Sequence, residues 1–165
     1  MGYGFPAAIG CQAGNPDRDV ICIAGDGSIQ MNIQELATIF LYNIPVKVVI
    51  LNNQYLGMVR QWQQLFSDRR YSSVCLNKRD DCPPDCTTPG DDCPLKVPNF
   101  ESVAKAYKVY GNTVKEKDKL NSALTELLKV DGPGILDVYI PAEENVYPMV
   151  PPGAGVQKMI DASDE

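Results

Sequence analysis

Two short polar segments of the chain carry the residue types that bind phosphate groups and hard metal ions. Gly25-Asp26-Gly27-Ser28 follows one apolar run of strand length, and Asn52-Asn53 follows another. An Asp at the carboxyl end of a buried strand points into the crevice where open α/β sheets bind ligands. Glycines let the backbone approach a phosphate closely, and a helix that follows offers its free N–H groups. The first segment is therefore expected to contact a phosphate group.

Taken together, the two segments predict a magnesium site. If their strands are parallel neighbours, the carboxylate of Asp26 and an Asn carbonyl oxygen converge on one cation. Mg²⁺ takes about six oxygens in octahedral array, commonly one or two carboxylates together with phosphate oxygens. A Gly-rich turn alone is weak support for such a site, whereas two segments at strand ends with a helix between them are more specific. We therefore predict a diphosphate that Mg²⁺ bridges to the protein.

The elements that must position these segments alternate between helix and strand. The apolar run 20–24 predicts a strand buried on both faces, and helical spacing from residue 29 to about 43 predicts the helix after it. Further strands are predicted at 46–51, around Val114 and at 135–140. Further helices are predicted at 6–13, at 56–66, from an Asn99 cap to Gly111, and at 120–128. This alternation predicts an α/β fold, a doubly wound parallel sheet with helices on both faces.

The length of 165 residues suits a single domain, which is predicted to span residues 1–165. Residues 75–98 have no apolar period, so they are expected to form an inserted Cys-rich loop. Residues 141–165 are expected to form a Pro-rich C-terminal tail, because their four prolines oppose regular structure.

The composition excludes several classes of function. The net charge of −6 argues against a nucleic-acid-binding face, which would be basic. No apolar run approaches the roughly 20 residues of a membrane span, and the first residues do not resemble a targeting peptide, so the cytoplasm is the expected location. Histidine is absent, which excludes Ser-His-Asp and Cys-His hydrolases and His-ligated zinc hydrolases within this chain.

The two polar segments resemble the thiamine-diphosphate motif of the pyruvate-decarboxylase-like superfamily. Within that superfamily, three stretches are similar to acetolactate (acetohydroxyacid) synthase, namely 1–10 (MGYGFPAAIG), 30–38 (QMNIQELAT) and 56–63 (LGMVRQWQ). The stretch 147–153 (YPMVPPG) also matches the end of that family. The likeness covers nearly the whole chain outside residues 75–98, and it implies a thiamine-diphosphate-binding fold.

The resemblance implies roles for residues around the predicted metal. By it, the side chains of Asp26 and Asn53 bind Mg²⁺, and the backbone carbonyl of Tyr55 is the third protein ligand. The residues that it implies as contacts of the diphosphate are Gly25, Gly27 and Ser28.

Three further residues are given roles by the resemblance. Met1 falls where the family has an apolar wedge that holds the cofactor in its bent conformation, and Met58 lies against the cofactor. Trp62 falls on a residue that lines the substrate channel. The alternative for Met58 and Trp62 is a role in core packing only.

The activity that the resemblance implies is the decarboxylation of pyruvate and its condensation with a second 2-keto acid, in branched-chain amino-acid biosynthesis. In the family, a glutamate that activates the cofactor lies on an N-terminal domain of the neighbouring subunit, and FAD binds to a middle domain. The chain is therefore expected to be a fragment of a larger protein, inactive alone, whose partners include those domains, a second subunit and a regulatory subunit. The alternatives are another thiamine-dependent 2-keto acid decarboxylase or carboligase, and a non-catalytic binding module.

The insertion holds four cysteines, Cys75, Cys82, Cys86 and Cys93, with six, three and six residues between them. A Cys-rich loop in a cytosolic protein favours metal binding over disulfides, and four thiolates suit tetrahedral zinc. Only one of the three intervals has the short spacing usual for zinc. A zinc clip, free thiols and disulfides therefore all stay open, and the resemblance does not decide because the family generally lacks this loop.

Because the insertion lies outside the cofactor motif, we expect Cys82→Ser to alter stability before it alters cofactor binding. Elemental analysis of protein purified without chelator, beside a thiol titration, identifies the state of the cysteines. One zinc with four protected thiols would support the clip. Absence of metal together with four reactive thiols would contradict it.

Overall fold

The structure, a computed structural model, describes residues 1–77, 82 and 98–164. The strands within these ranges are β1 (Ile21–Gly25), β2 (Lys47–Asn52), β3 (Tyr110–Val114) and β4 (Gly134–Tyr139). The helices are α1 (Gly4–Gly14), α2 (Asp26–Gln30), α3 (Glu35–Leu41), α4 (Gly57–Phe66), α5 (Phe100–Ala106) and α6 (Leu120–Lys129). Three short 3₁₀ turns lie at Lys117–Lys119, Val156–Lys158 and Ala162–Asp164.

The described strands form one sheet in the order β1-β2-β4-β3, and every neighbouring pair is parallel. One face of the sheet packs against α1, α3 and α5, through buried residues such as Phe5, Ile39 and Ala104. The other face packs against α6, where Ala123 and Leu127 belong to a second apolar cluster. Helices therefore cover both faces of a parallel sheet, and the predicted fold class is confirmed.

The predicted burial of the first strand on both faces is wrong. Ile21 and Ile23 are 49% and 69% exposed, whereas Cys22 between them is buried. The reason is that β1 is an edge strand of the described sheet, and α6 packs against the more distant β3 and β4. A run of apolar residues shows that a strand is suited to burial, but the neighbours that cover it are set by topology.

One helix that the sequence predicted as continuous is two helices in the structure. The helix expected over 29–43 is divided, with α2 ending at Gln30 and α3 beginning at Glu35. In the intervening turn, the Asn32 side-chain amide donates a hydrogen bond to the carbonyl of Gly2. The amide thus ties the N-terminal segment to the turn between the two helices.

The helix that begins at Asn99 has the predicted cap, because the Asn99 Oδ1 accepts a hydrogen bond from the Ser102 amide at 2.7 Å. It ends at Ala106, and Gly111 lies in β3 and not at the helix end. A Cβ at Gly111 would lie 2.8 Å from the Glu101 carbonyl oxygen. Glycine at this position therefore allows α5 to pack closely on β3.

Residues 141–164 contain no α-helix and no strand of the sheet. An isolated antiparallel bridge joins Met149 to Ile160, and the Tyr147-Pro148 peptide bond is cis. Most of the predicted insertion lies outside the described residues. Among the helices of the described ranges, none is both long and apolar enough to span a membrane.

The turn between α6 and β4 is held by a buried lysine at the start of β2. Lys47 is 3% exposed, and its Nζ donates hydrogen bonds to the carbonyls of Val130, at 2.7 Å, and of Gly132. Burial lowers the pKa of the Lys47 ammonium. The two carbonyls satisfy a charged group that would otherwise be costly to bury.

We expect Lys47→Met to lower the free energy of unfolding by about 2 kcal/mol, because it leaves two carbonyls without their donor. Chemical denaturation measures the change. Lys117→Met is the matched control, since Lys117 is exposed and its loss should have little effect. An equal effect of both substitutions would contradict the role assigned to Lys47.

Candidate functional site

The two polar segments meet at the carboxyl ends of β1 and β2. Since Gly25 lies opposite Leu51 in the parallel ladder, Asp26 and Asn53 emerge at the same edge of the sheet. A pocket of about 390 Å³ opens there. It is lined by every residue that the sequence predicted as a cofactor or magnesium contact, namely Met1, Gly25, Asp26, Gly27, Ser28, Asn53, Tyr55 and Met58.

Asp26 is the buried acid of this pocket, with 3% of its surface exposed. Its Oδ1 accepts a hydrogen bond from the Gly27 amide at 2.9 Å, and its Oδ2 accepts one from the Gln54 amide at 2.7 Å. Burial raises the pKa of Asp26 to about 6, against the lowering effect of these hydrogen bonds. A buried carboxylate whose orientation is fixed by two amides is suited to bind a cation, which would compensate its charge.

Asn53 and Tyr55 are oriented by the loop that follows β2. The Asn53 Oδ1 accepts a hydrogen bond from the Tyr55 amide at 3.0 Å. Tyr55 also pairs with Cys75 in an antiparallel bridge, whose flanking hydrogen bonds run from Leu56 N to Val74 O and from Leu76 N to Gln54 O. In such a pair the N–H and C=O of Tyr55 point away from the 74–76 segment, and thus towards the side of Asn53. The side-chain oxygen of Asn53 and the backbone carbonyl of Tyr55 therefore lie on the same side of the loop.

The chemistry of this donor set fits a hard cation. One carboxylate, one amide oxygen and one backbone carbonyl are all oxygen donors, and Mg²⁺ would complete its coordination with phosphate and water oxygens. In the described part of the chain, no group of three or more His, Cys, Asp or Glu residues could hold a metal by side chains alone. A cation in this pocket thus depends on backbone and ligand oxygens as well as on Asp26.

The two glycines of the segment 25–28 have different surroundings. A Cβ at Gly25 would have no atom within 4 Å, which leaves open space there, whereas one at Gly27 would lie 2.8 Å from the Leu56 Cδ2. The Ser28 hydroxyl accepts a hydrogen bond from the Gly2 amide at 3.0 Å, which ties the N-terminal segment beside Met1 to this turn. The segment 25–28 therefore both bounds the pocket and holds Met1 near it.

The apolar residues predicted for the site differ in their placement. Met1 and Met58 line the pocket and are 69% and 51% exposed. Trp62 is 40% exposed and contacts Phe66 edge to face, with ring centroids 5.5 Å apart, and it is not among the pocket-lining residues. Met58 and Trp62 are thus not buried core residues, and a substrate contact of Trp62 stays a prediction.

Two polar residues that α4 buries were not predicted from the sequence. Gln61 is 1% exposed, and its side-chain amide exchanges two hydrogen bonds, each 2.9 Å long, with the backbone N–H and C=O of Val146. Arg60 is 3% exposed and forms an ion pair with Glu143 at 3.1 Å. Since Val146 lines the pocket, α4 holds the C-terminal segment in place as part of the pocket wall. Local sequence contains no signal for this burial, because Arg60 and Gln61 lie outside the apolar face of α4, which is the exposed one.

The predicted zinc clip is not tested by the described residues. Cys75 and Cys82 are both half-buried, and Cys86 and Cys93 lie outside the described ranges. The clip therefore stays a prediction.

Comparisons with known proteins agree on one family. A family model described as "Thiamine pyrophosphate enzyme, C-terminal TPP binding domain" matches residues 1–138. The acetolactate synthase isozyme 2 large subunit of Escherichia coli (strain K12) is 43% identical over 161 residues, which cover 98% of this chain and 26% of that protein. The acetolactate synthase large subunit of Porphyra purpurea is 44% identical over 97% of this chain and 24% of that protein.

A plant relative and a solved structure extend the comparison. Acetolactate synthase 2, chloroplastic, from Nicotiana tabacum is 40% identical over 99% of this chain and 23% of that protein. The thiamine diphosphate-dependent 4-hydroxybenzoylformate decarboxylase of Rhodococcus jostii RHA1 has a TM-score of 0.67 and 30% identity, over 86% of this chain and 23% of that one. The chain spans about a quarter of the length of the curated relatives that it matches.

We expect Gly57→Ala to displace the Asn53 side chain, because a Cβ at Gly57 would lie 2.8 Å from the Asn53 Nδ2. A side-chain end moves easily, so the fold should persist while the affinity for Mg²⁺ with thiamine diphosphate falls about tenfold. Calorimetric titration measures the affinity. Gly10→Ala is the control, since no atom lies within 4 Å of its added Cβ. Unchanged affinity of Gly57→Ala would refute the placement of Asn53.

Proposed function

The chain belongs to the thiamine pyrophosphate enzymes, as their C-terminal TPP-binding domain, and on this premise we propose that it is the cofactor domain of an acetolactate synthase. The observation that carries the proposal is the convergence of all the predicted cofactor residues on one pocket at the ends of β1 and β2. The identity of 40–44% to acetolactate synthases over nearly the whole chain, against 30% to the decarboxylase, favours this activity over simple decarboxylation.

In this proposal the Asp26 carboxylate, the Asn53 side-chain oxygen and the Tyr55 carbonyl oxygen would hold the Mg²⁺ that accompanies the diphosphate of the cofactor. The two backbone amides that bond to Asp26 fix the orientation of its carboxylate in the pocket. Gly25, Gly27 and Ser28 would contact the diphosphate, and the open space beside Gly25 supports this role.

The apolar wall of the pocket confines the organic part of the cofactor. Met1 and Met58 lie on this wall, where their flexible side chains can pack against a ring system. When bound, thiamine diphosphate supplies the carbanion chemistry by which one 2-keto acid loses CO₂ and its acyl carbon adds to a second. The chain itself binds and orients the cofactor, and it provides no imidazole for proton transfer.

Trp62 selects the second 2-keto acid in this proposal. Met58 and Val59 line the pocket, and Trp62 lies one turn further along the same exposed apolar face of α4. A substrate that approaches along this face would pass the indole before it reaches the cofactor. This placement supports a role for Trp62 at the entrance.

The active enzyme requires parts beyond this chain. We propose that further domains of the same protein, one of them with FAD, and a second subunit complete the active site, and that a regulatory subunit binds the assembly. The share of about a quarter of the relatives' length supports the need for further domains. The exposure of Met1, Met58 and Trp62 on one side of the chain supports a covering partner. The cytoplasmic location stays a prediction.

The complete protein that carries this chain is expected to convert pyruvate to acetolactate and CO₂ when Mg²⁺ and thiamine diphosphate are present. Asp26→Ala should abolish both the activity and the Mg²⁺-dependent binding of thiamine diphosphate, because it removes the carboxylate ligand. A colorimetric acetolactate assay and calorimetry provide the two measurements. Asp17→Ala is the matched control, since Asp17 is exposed in the loop before β1.

The other outcomes separate the alternatives. Release of CO₂ without acetolactate would indicate a decarboxylase, and cofactor binding without turnover would indicate a binding module. Unchanged affinity of Asp26→Ala would show that the metal site is wrongly assigned. The chain expressed alone should form no acetolactate, and turnover by it would contradict the requirement for further domains.

A further inference from the structure

A second buried acid lies behind the pocket and does not take part in the site as described. Asp137 is in β4, one strand beyond β2, and only 1% of its surface is exposed. It is not among the residues that line the pocket. A carboxylate at this depth needs hydrogen-bond donors, because burial without them is costly.

The donor to Asp137 comes from the strand that leads to the metal site. The Asn52 Nδ2 donates a hydrogen bond of 3.0 Å to the Asp137 Oδ1. With its amide oriented in this way, Asn52 presents its Oδ1 to the Gln54 amide, at 3.2 Å. The same Gln54 amide donates to the Asp26 Oδ2 at 2.7 Å. A continuous polar row thus runs from β4 across β2 to the predicted metal ligand.

The Gln54 backbone depends on this row. Gln54 has a φ of 64°, a left-handed conformation that costs energy for a residue other than glycine. The hydrogen bonds from its N–H to Asn52 and Asp26 help to hold this conformation. Because Asn53 and Tyr55 flank Gln54, the same turn sets the direction of the other two predicted ligands.

We propose that Asp137 is a positioning residue for the Mg²⁺-diphosphate site, which acts by holding the Asn52 amide in the orientation that fixes the Gln54 turn and Asp26. The proposal rests on the proposed function of the pocket. What the site requires of Asp137 is a hydrogen-bond acceptor, since the Asn52 amide donates to it. Burial raises the pKa of Asp137 to about 6, above the lowering effect of this hydrogen bond.

The test compares three substitutions in the complete protein by calorimetric titration of Mg²⁺ with thiamine diphosphate. Asp137→Val removes the acceptor and should weaken the apparent Mg²⁺ affinity about tenfold. Asp137→Asn keeps an acceptor and should restore the affinity to within about twofold of the parent protein. Leu136→Ala is the control for lost stability, since Leu136 is also fully buried in β4 but on the opposite sheet face. It should lower the thermal midpoint and leave the affinity unchanged.

Turnover provides an independent readout. At saturating Mg²⁺, Asp137→Val should retain most of the parent's kcat, because Asp137 positions the ligands and does not contact the reacting atoms. If this variant does not fold, Asn52→Ala breaks the same row from the other side and should show the same loss of affinity. The double substitution Asp137→Val with Asn52→Ala should be no weaker than the worse single one.

Three results would overturn the positioning role. The first is an equal loss of Mg²⁺ affinity in Asp137→Val and Leu136→Ala. The second is a failure of Asp137→Asn to restore binding. The third is an unchanged affinity when the polar row is broken at Asp137 or at Asn52. If the parent protein bound no thiamine diphosphate with Mg²⁺, the proposed function and this inference would fail together. If the parent protein bound thiamine diphosphate with Mg²⁺ and the variants bound it equally well, only this inference would be refuted.

Discussion

The parallel pairing of β1 with β2 is the constraint on which the candidate site depends. Its register, with Gly25 opposite Leu51, brings Asp26 and Asn53 to the same edge of the sheet. A shift of one residue would turn the side chains of a strand to the other sheet face. Packing opposes such a shift, because β2 buries Val48 and Ile50 in one apolar cluster and Val49 in the other, while β1 buries Cys22 in the first cluster and exposes its other face. Packing of the core thereby sets the geometry of polar groups that are themselves not part of it.

The helix α4 connects the pocket to the rest of the chain in an unusual way. It buries the polar side chains of Arg60 and Gln61 and exposes the apolar side chains of Met58 and Trp62. Arg60 pairs with Glu143, and Gln61 bonds to the backbone of the C-terminal segment, so the helix and this segment support each other. The exposed apolar side is then available for a cofactor, a substrate or a covering domain, as the proposed function requires.

Two buried acids, Asp26 directly after β1 and Asp137 in β4, lie at the two ends of the polar row. Asp26 and Asp137 are both almost fully buried, and burial raises the pKa of each to about 6. Hydrogen bonds from Gln54 and Asn52 stabilise the two carboxylates, and a cation at Asp26 would compensate its charge further.

The sequence by itself determined the alternation of helices and strands, through apolar spacing and the Asn99 cap. It also identified part of the pocket lining, through the motif around Asp26 and the resemblance to a family, but not Gln61 or Val146. Tertiary structure alone decided that Ile23 is exposed on an edge strand and that Gly111 lies in β3 under a close helix. It also decided that Asp137 reaches Asn52, a residue 85 positions away in the chain. The physical reason is that burial and long-range hydrogen bonds depend on which strands become neighbours, and local sequence patterns do not contain that information.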